Sequence, residues 1–172
     1  MQRLQSLAAR TGQTVLLYNG QPAAACYHAI SSGHTEASQN VWGGQLPYLC
    51  GVDSAWDKFA DGYEVTIQYS AEQVRTALEE LGLTPDDSPE SWVGASTWDK
   101  AGYVRTLELC GQMVSGLEVR KALDLRSTCF AIAWRGGQFV ITTRGYGHGV
   151  GLSQYGAKAM AEGLSLIHIS EP

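Results

Sequence analysis

The sequence lacks the features that mark membrane-embedded and nucleic-acid-binding proteins. No apolar run approaches the roughly 20 residues that span a bilayer, and residues 1–20 contain neither the apolar core nor the cleavage site of a signal peptide. Lysine and arginine form no cluster longer than two, and the net charge is −5, whereas nucleic-acid binders present a basic surface. We therefore expect no nucleic-acid partner, and a membrane link only through an upstream anchor outside this sequence.

Paired metal-binding cysteines and phosphate-binding glycine motifs are also missing. The four cysteines form no C-x-x-C pair, so they permit two disulfides without requiring any. No G-x-G-x-x-G or G-K-[ST] motif occurs in the glycine-rich stretch near the C-terminus. Cys26, His28 and His34 carry metal-ligand atoms, but Cys-x-His without a second close pair is a weak zinc pattern. We predict no metal site and no cofactor; a metal- or thiol-dependent hydrolase built on these three residues is a weaker alternative.

What the chain does contain is enough apolar sequence for one folded domain. Of its 172 residues, 44% are hydrophobic and 17% are charged, a balance typical of a domain with a real core. A short helix is expected at the N-terminus, followed by a hairpin within residues 13–30, and residues 63–70 alternate as a strand does. Glycine-containing pairs between apolar runs predict three hairpin turns, at Asn19-Gly20, Gly111-Gln112 and Gly136-Gly137.

Two capping-box patterns predict short helices. Each pairs a serine with a Gln or Glu three residues later, and the pairs are Ser70 with Gln73 and Ser115 with Glu118. Leu117 and Leu123 of the second helix are expected to face the core. Residues 83–95 are acidic and turn-rich, so we expect them to form an internal linker. Strands and short helices mix without a βαβ repeat, so the predicted fold class is α+β, with a mostly antiparallel sheet and a few short helices. Core or sheet-face positions are expected for Trp56, Trp92, Trp98 and Trp134.

Two segments contain candidate functional residues, and the first of them is rich in glycine. In RGYGHGVGLSQYGA, residues 144–157, every second residue from 145 to 151 is glycine. Glycine lets the backbone approach a ligand or another chain closely, and a tight structural crossing explains the pattern as well as a binding loop does. His148 has few neighbouring side chains to bury it, so we expect it to contact a ligand or another loop. Ser153 and the first N–H groups of the following helix are expected to donate to ligand oxygens.

The second segment, CYHAISSGHTEASQNVWG at residues 26–43, is polar and is predicted to be a loop. It combines two imidazoles, several hydroxyls, an amide, the carboxylate of Glu36 and the indole of Trp42. Sugar sites use this mixture, because carboxylates and amides satisfy hydroxyl groups while aromatic faces stack on the apolar side of the ring.

These segments resemble the stage II sporulation protein D family, also called SpoIID/LytB, which includes amidase enhancers. The matching stretches are TGQTVLLYNGQPAAACYHAISSGHTEASQNVWG, LPYLCGVDSAWD, SGLEVRKALDLRSTCFAI and GYGHGVGLSQYGAKAMAEG, in that order. Together they cover most of residues 10–163, and the last is a specific family signature. The resemblance implies peptidoglycan glycan strands as the substrate, other sporulation or cell-wall hydrolases as partners, and a location in the bacterial envelope outside the cytoplasm.

The family activity implied is lytic transglycosylation, in which a carboxylic acid protonates the glycosidic oxygen and the sugar's C6 hydroxyl attacks C1, leaving a 1,6-anhydro end. The family's catalytic glutamate lies in an upstream Glu-Met-Pro segment, and some members bind zinc through a Cys/His cluster just after it; this chain starts downstream of both. Within this chain we take Glu36 as the candidate catalytic residue, with a substrate-binding or secondary polar role as its alternative. The residues carried over as substrate-binding are His28, Ser32, Thr35, Asn40, Trp42, His148, Ser153, Gln154 and Tyr155.

We expect residues 1–163 to be one domain of this family that is truncated at both ends. Residues 164–172, LSLIHISEP, abandon the preceding helical pattern and match a translated sequencing adapter, so we expect a foreign tail. Two functions follow as expectations: a fragment of a peptidoglycan lytic transglycosylase, or a non-catalytic glycan-binding module of the amidase-enhancer type.

Overall fold

Small β-sheets, all but one of them antiparallel, and four α-helices are the main elements of the described part of the chain. The structure is a computed structural model that describes the backbone of residues 15–170 and the side chains of residues 15–163. In chain order the elements are β1 (Leu17–Tyr18), β2 (Gln21–Pro22), β3 (Tyr27–His28), α1 (Ser38–Trp42), a 3₁₀ turn (Ala55–Phe59), β4 (Glu64–Ser70), α2 (Ala71–Glu80), a second 3₁₀ turn (Pro89–Ser91), β5 (Val93–Trp98), β6 (Val104–Leu109), β7 (Gln112–Ser115), α3 (Gly116–Ala122), β8 (Phe130–Arg135), β9 (Gln138–Arg144), β10 (Leu152–Ser153) and α4 (Gln154–Ser170).

Two three-stranded sheets form the frame, in the orders β4-β9-β8 and β5-β6-β7. All their strand pairs are antiparallel, and β1 with β2 forms a separate small hairpin. The exception is β3, which pairs in parallel with β10 and so joins two segments that are distant in the chain. The predicted α+β class with mostly antiparallel pairing is confirmed.

The hairpin turns lie where glycine and Asn pairs predicted them, with one shift of register. Asn19 and Gly20 have φ of 49° and 74°, the left-handed conformation that a two-residue turn between twisted strands requires. The turn between β8 and β9 is at residues 136–137, as predicted. Between β6 and β7 the turn residues are Cys110 and Gly111, with φ of 48° and 76°, so this turn begins one residue earlier than predicted.

Both predicted capping boxes are formed, at the starts of α2 and α3. The Ser70 hydroxyl accepts from the Gln73 N–H at 3.2 Å, and the Gln73 side chain accepts from the Ser70 N–H at 2.8 Å. The predicted inward direction of Leu117 is wrong: this side chain is 38% exposed, whereas Val119 is fully buried. Packing of the short helix α3 on β6 and β7 therefore selects Val119 rather than Leu117.

The hydrophobic core lies between the two sheets and the helices α2 and α3. Trp92 is buried and stacks on Phe139 of β9 with ring centroids 5.7 Å apart, while Trp134 approaches the same phenylalanine at 4.7 Å. The predicted core or sheet-face position is therefore correct for Trp92 and Trp134. Trp98 also holds a sheet position, at the end of β5, although 57% of its surface is exposed; Trp56 lies in the first 3₁₀ turn, outside both core and sheet, and is 54% exposed.

The predicted linker, residues 83–95, is packed against the domain at both ends. Leu83 and Trp92 are buried core residues, and β5 begins at Val93. At the C-terminus, the helical backbone of α4 continues to Ser170, so the expected end of the helix near residue 163 is not seen. The predicted N-terminal helix lies outside the described residues.

Candidate functional site

The two chemistry-bearing segments lie side by side and are joined by main-chain hydrogen bonds. We call residues 26–43 the first loop and residues 145–151 the glycine loop. The Glu36 N–H donates to the carbonyl oxygen of Gly149 at 2.7 Å, and Tyr146 and Ile30 exchange hydrogen bonds of 2.7 and 3.1 Å. The parallel pair β3 and β10 continues this contact beyond the glycine loop. The predicted close approach of the glycine-rich backbone to another loop is therefore present.

The glycines make this contact possible in two ways. Positive φ values of 78°, 119°, 79° and 80° occur at Gly145, Gly147, Gly149 and Gly151. A Cβ at Gly147 would lie 2.8 Å from the Cβ of His28, and one at Gly151 would overlap the carbonyl oxygen of Cys26. The backbone conformation and the contact distance each disfavour any other residue here.

Three ring side chains, which we call the aromatic cluster, meet where the two loops touch: His28, Trp42 and His148. The His148 ring centroid lies 5.1 Å from that of Trp42 and 5.9 Å from that of His28. His28 is buried at 4% exposure, while Trp42, the last residue of α1, is 50% exposed. His28 thus forms the buried part of the cluster, and the indole of Trp42 faces solvent.

The backbone N–H and carbonyl of one residue, Val150, fix the proton positions of both imidazoles. Nδ1 of His28 lies 3.1 Å from the Val150 carbonyl, which can only accept, so this nitrogen carries the proton. The Val150 N–H donates to Nδ1 of His148 at 3.1 Å, so the His148 proton is on Nε2. Burial lowers the pKa of both rings below 6.5, with the His148 pKa further lowered by His28. Nε2 of His28 is a buried acceptor without a partner among the described residues.

Glu36 lies beside the aromatic cluster and is held by three side-chain hydrogen bonds. Its Oε1 accepts from the Ala37 N–H and from Nδ2 of Asn40, both at 2.7 Å. Its Oε2 accepts from Nη2 of Arg105 at 2.6 Å, and the same nitrogen binds the carboxylate of Asp99. The Glu36 side chain is 5% exposed. Its carboxylate therefore holds the start of α1 and ties the first loop to β6.

The protonation of Glu36 reflects its burial and its charged neighbours. Burial raises the pKa of the Glu36 carboxyl above 4.5, and the neighbouring Asp99 carboxyl raises it further, while donation from Asn40 and Ala37 opposes both. One guanidinium, that of Arg105, faces two carboxylates, so the group carries a net negative charge when both are ionised. This arrangement favours retention of a proton on Glu36.

Ser153 is committed to the interior rather than to a ligand. It is buried, and its hydroxyl donates to Oδ1 of Asp57 at 2.6 Å while accepting from the Gly156 N–H at 3.2 Å, which caps the start of α4. The other oxygen of Asp57 accepts from the N–H and the hydroxyl of Ser31 at 2.9 and 2.5 Å. Asp57 thus joins the first loop to α4, and the expectation that Ser153 and the helix start face a ligand does not hold.

Ser32 and Thr35 are likewise buried and internally bonded. The Ser32 hydroxyl donates to the carbonyl of Ala101 at 2.8 Å, and the Thr35 hydroxyl accepts from the Val52 N–H at 2.9 Å. These two predicted binding residues support the shape of the first loop instead of projecting from it.

Gln154 and Tyr155 are exposed but belong to other surfaces. Gln154 lines an apolar groove with Leu17 and Tyr18, whereas Tyr155 lines a small cavity with Trp56 and Phe59. Of the predicted binding residues, the structure therefore brings together His28, Trp42 and His148, with Asn40 exposed on the same helix as Trp42.

Four residues that the sequence did not single out hold the site together: Asp57, Asp99, Tyr103 and Arg105. The Tyr103 hydroxyl accepts from the Ser32 N–H at 3.1 Å and donates to the His34 carbonyl at 3.0 Å, and burial raises its pKa to about 12. Asp57 lies in a stretch matched to the family, which was the available signal. The other three are isolated polar residues in or near a strand, and no local pattern distinguishes them.

The part of the chain that the structure describes shows neither a metal-binding cluster nor a membrane-spanning helix. Within that part of the chain, no group of three or more His, Cys, Asp or Glu side chains could hold a metal ion. The rings of His28 and His34 bond separate carbonyls, those of Val150 and Thr35. No helix among residues 15–170 is long and apolar enough to cross a bilayer. The four cysteines, all within the described range, are free thiols.

Comparison with known proteins finds similar sequences over nearly the whole chain. Stage II sporulation protein D of Bacillus subtilis (strain 168) is 36% identical over 163 residues, 94% of this chain, and that of Bacillus amyloliquefaciens matches equally. The amidase enhancer of Bacillus subtilis (strain 168) is 26% identical over 89% of this chain and 29% of its own length. No protein-family model matches. The chain spans about half the length, 46%, of the two sporulation proteins it matches.

Proposed function

The chain belongs to the stage II sporulation protein D family, and from that premise we propose that it binds peptidoglycan glycan strands as part of a lytic transglycosylase in the bacterial cell envelope. The names of its relatives support a role in sporulation, and the amidase enhancer among them supports a connection with cell-wall hydrolases. Other cell-wall hydrolases are accordingly the protein partners that we propose.

The observation that carries the proposal is the half-exposed indole of Trp42 against the ring of His148, 5.1 Å away. A fixed aromatic ring is a suitable platform for the apolar face of a pyranose. Asn40, two residues before Trp42 on α1, is also exposed, and its amide oxygen is an acceptor for sugar hydroxyl groups while its Nδ2 binds Glu36. The neutral His148 ring adds a hydrogen-bonding group without the cost of burying a charge.

We assign Glu36 a positioning role within this function. Its raised pKa would suit a general acid, but an acid must come within hydrogen-bond reach of the oxygen that it protonates. Both of its oxygens are already bonded, and 5% of the side chain is exposed. Through Ala37 and Asn40 it fixes α1, and α1 in turn fixes Trp42.

A second candidate function is a glycan-binding module without cleavage, of the amidase-enhancer type. The observation that favours it is the commitment of the Glu36 and Asp99 carboxylates to Arg105. A module that only binds needs the exposed Trp42 and no accessible acid.

Digestion of peptide-free glycan strands separates the two functions. The strands are incubated with this chain and with the full product of its gene, and 1,6-anhydromuramic ends are counted by mass spectrometry. Ends made by the full product, together with binding but little cleavage by this chain, are the expected result for a transglycosylase. Binding by both without ends supports the module instead, and absence of binding by both contradicts the proposal. Efficient cleavage by this chain, lost in Glu36→Gln, would overturn the positioning role.

A further inference from the structure

A larger cleft lies between the two sheets, and its lining shares no residue with the aromatic cluster. Its volume is about 850 Å³, within the range of cavities that hold small ligands. The walls come from the end of β5 and the residues after it, the start of β4, the adjacent ends of β8 and β9, the first 3₁₀ turn and Ser32 of the first loop. Nothing in the proposed function uses this cleft.

Trp98 provides one wall of the cleft. It is the last residue of β5, and 57% of its surface is exposed although it is paired with Val104 in the sheet. A large aromatic side chain that the core leaves exposed at a cleft is more informative than a single exposed leucine, because its flat face can stack on an apolar ligand surface.

Positive charge lies in the same cleft. Arg144 is paired with Glu64 at 2.7 Å, but Lys58 forms no salt bridge with any residue that the structure describes. Gly33, with φ of 101°, leaves room for the lysine chain, since a Cβ there would overlap the Lys58 side chain. These three charges sum to +1 in a protein whose net charge is −5, so the cleft offers an available ammonium group to an anion.

We propose that this cleft binds a carboxylate-bearing sugar, with the pyranose ring on Trp98 and the carboxylate against the Lys58 ammonium. In peptidoglycan that sugar is muramic acid, whose lactyl ether ends in a carboxylate when no peptide is attached. The choice of muramic acid rests on the proposed function, whereas the cleft chemistry requires only an anionic sugar. The charge on Lys58 then distinguishes a peptide-free muramic unit from one whose carboxyl is an amide.

Calorimetric titration with defined disaccharides tests this inference. The probes are N-acetylglucosaminyl-N-acetylmuramic acid and the same disaccharide with its lactyl carboxyl converted to a neutral amide. A charge-assisted hydrogen bond predicts about tenfold tighter binding of the free acid. Lys58→Gln is expected to remove this preference while leaving amide binding unchanged, and Trp98→Ala to weaken binding of both disaccharides. Rising salt should weaken binding of the free acid alone.

Matched controls lie on another surface. Trp56 is 54% exposed and Lys158 is exposed, and both line the small cavity beside Tyr155. Trp56→Ala and Lys158→Gln should leave both titrations unchanged, and circular dichroism checks that every variant is folded.

Two results would overturn the inference: equal affinity for the acid and the amide, or an acid preference that survives Lys58→Gln. Either can occur while glycan strands still bind through Trp42, so failure of the cleft leaves the proposed function standing. Conversely, an intact acid preference together with strand binding that Trp42→Ala does not change would retain the cleft and remove the aromatic cluster from the account.

Discussion

At the scale of single residues, Gly151 shows why the glycine loop contains so much glycine. Its φ is 80°, and a Cβ at this position would overlap the carbonyl oxygen of Cys26. Gly137, in the turn between β8 and β9, has nearly the same φ, 79°, but no atom within 4 Å of the Cβ position. A side chain at Gly137 would therefore meet only the strain of a left-handed backbone, whereas one at Gly151 would meet that strain and a steric clash as well.

Alanine at these two positions should therefore have unequal effects. Gly137→Ala is expected to lower the free energy of unfolding by about 1 kcal/mol, the cost of a left-handed alanine. Gly151→Ala is expected to lower it by about 3 kcal/mol or more, because the two loops must also move apart. Urea unfolding of both variants measures the difference, and equal losses would show that the loops are not in close contact.

Glu36 gives a second prediction, concerning pH. Its folded-state pKa is above 4.5, so the folded protein holds this proton more tightly than the unfolded chain does. The stabilisation is fully present at pH values below 4.5 and is lost as pH rises through the raised pKa. Glu36→Gln lacks this contribution, so the variant should gain stability relative to the wild type as pH rises from 4.5 toward neutral.

Glu118 supplies the opposite control for that experiment. Its exposed carboxylate accepts from the hydroxyl and the N–H of Ser115, and these bonds lower its pKa. Its stabilisation is present above the unfolded-state pKa and disappears as pH falls through the lowered one. Glu118→Gln should therefore lose stability relative to the wild type as pH rises through the acid range. A Glu36→Gln difference that does not vary with pH would contradict the assigned environment.

At the scale of elements, local signals predicted what local physics determines. The capping boxes at Ser70 and Ser115 and the two-residue turn at Asn19 are satisfied by neighbours within three residues, so the sequence contains all the information needed. The inward side of α3 was not predictable in this way. In a helix of seven residues the choice between Leu117 and Val119 depends on β6 and β7 beneath it.

Truncations on α3 test that packing. Val119 is fully buried, so Val119→Ala should lower the free energy of unfolding by about 2 kcal/mol, through lost burial and a small cavity. Leu117 is 38% exposed, and Leu117→Ala should change it by about 0.5 kcal/mol. Thermal or urea unfolding gives both values. The reverse order would mean that α3 presents its other side to the sheet.

At the scale of the whole molecule, the site depends on contacts between segments far apart in the chain. Sequence indicated His28, Trp42 and His148 as candidates, but their rings meet through the main-chain hydrogen bonds between the first loop and the glycine loop and the parallel pairing of β3 with β10. The same pairing buries Ser153, which the sequence placed at a ligand. Arg105 lies 69 residues from Glu36, and no sequence period connects them.

Two surfaces of the molecule differ in their chemistry. The aromatic cluster offers a neutral platform that suits any pyranose, whereas the cleft at Trp98 and Lys58 adds a charge that suits an acidic one. A glycan strand of alternating neutral and acidic sugars presents both chemistries.

Binding of peptide-free glycan strands to this chain and to its Trp42→Ala variant is the most direct test of the central claim. Loss of the half-exposed indole should weaken binding about five- to tenfold in a pelleting assay. Trp56→Ala, which removes a tryptophan of similar exposure, 54%, should leave binding unchanged. Unchanged binding by Trp42→Ala, or an equal loss in both variants, would contradict a glycan site at the aromatic cluster.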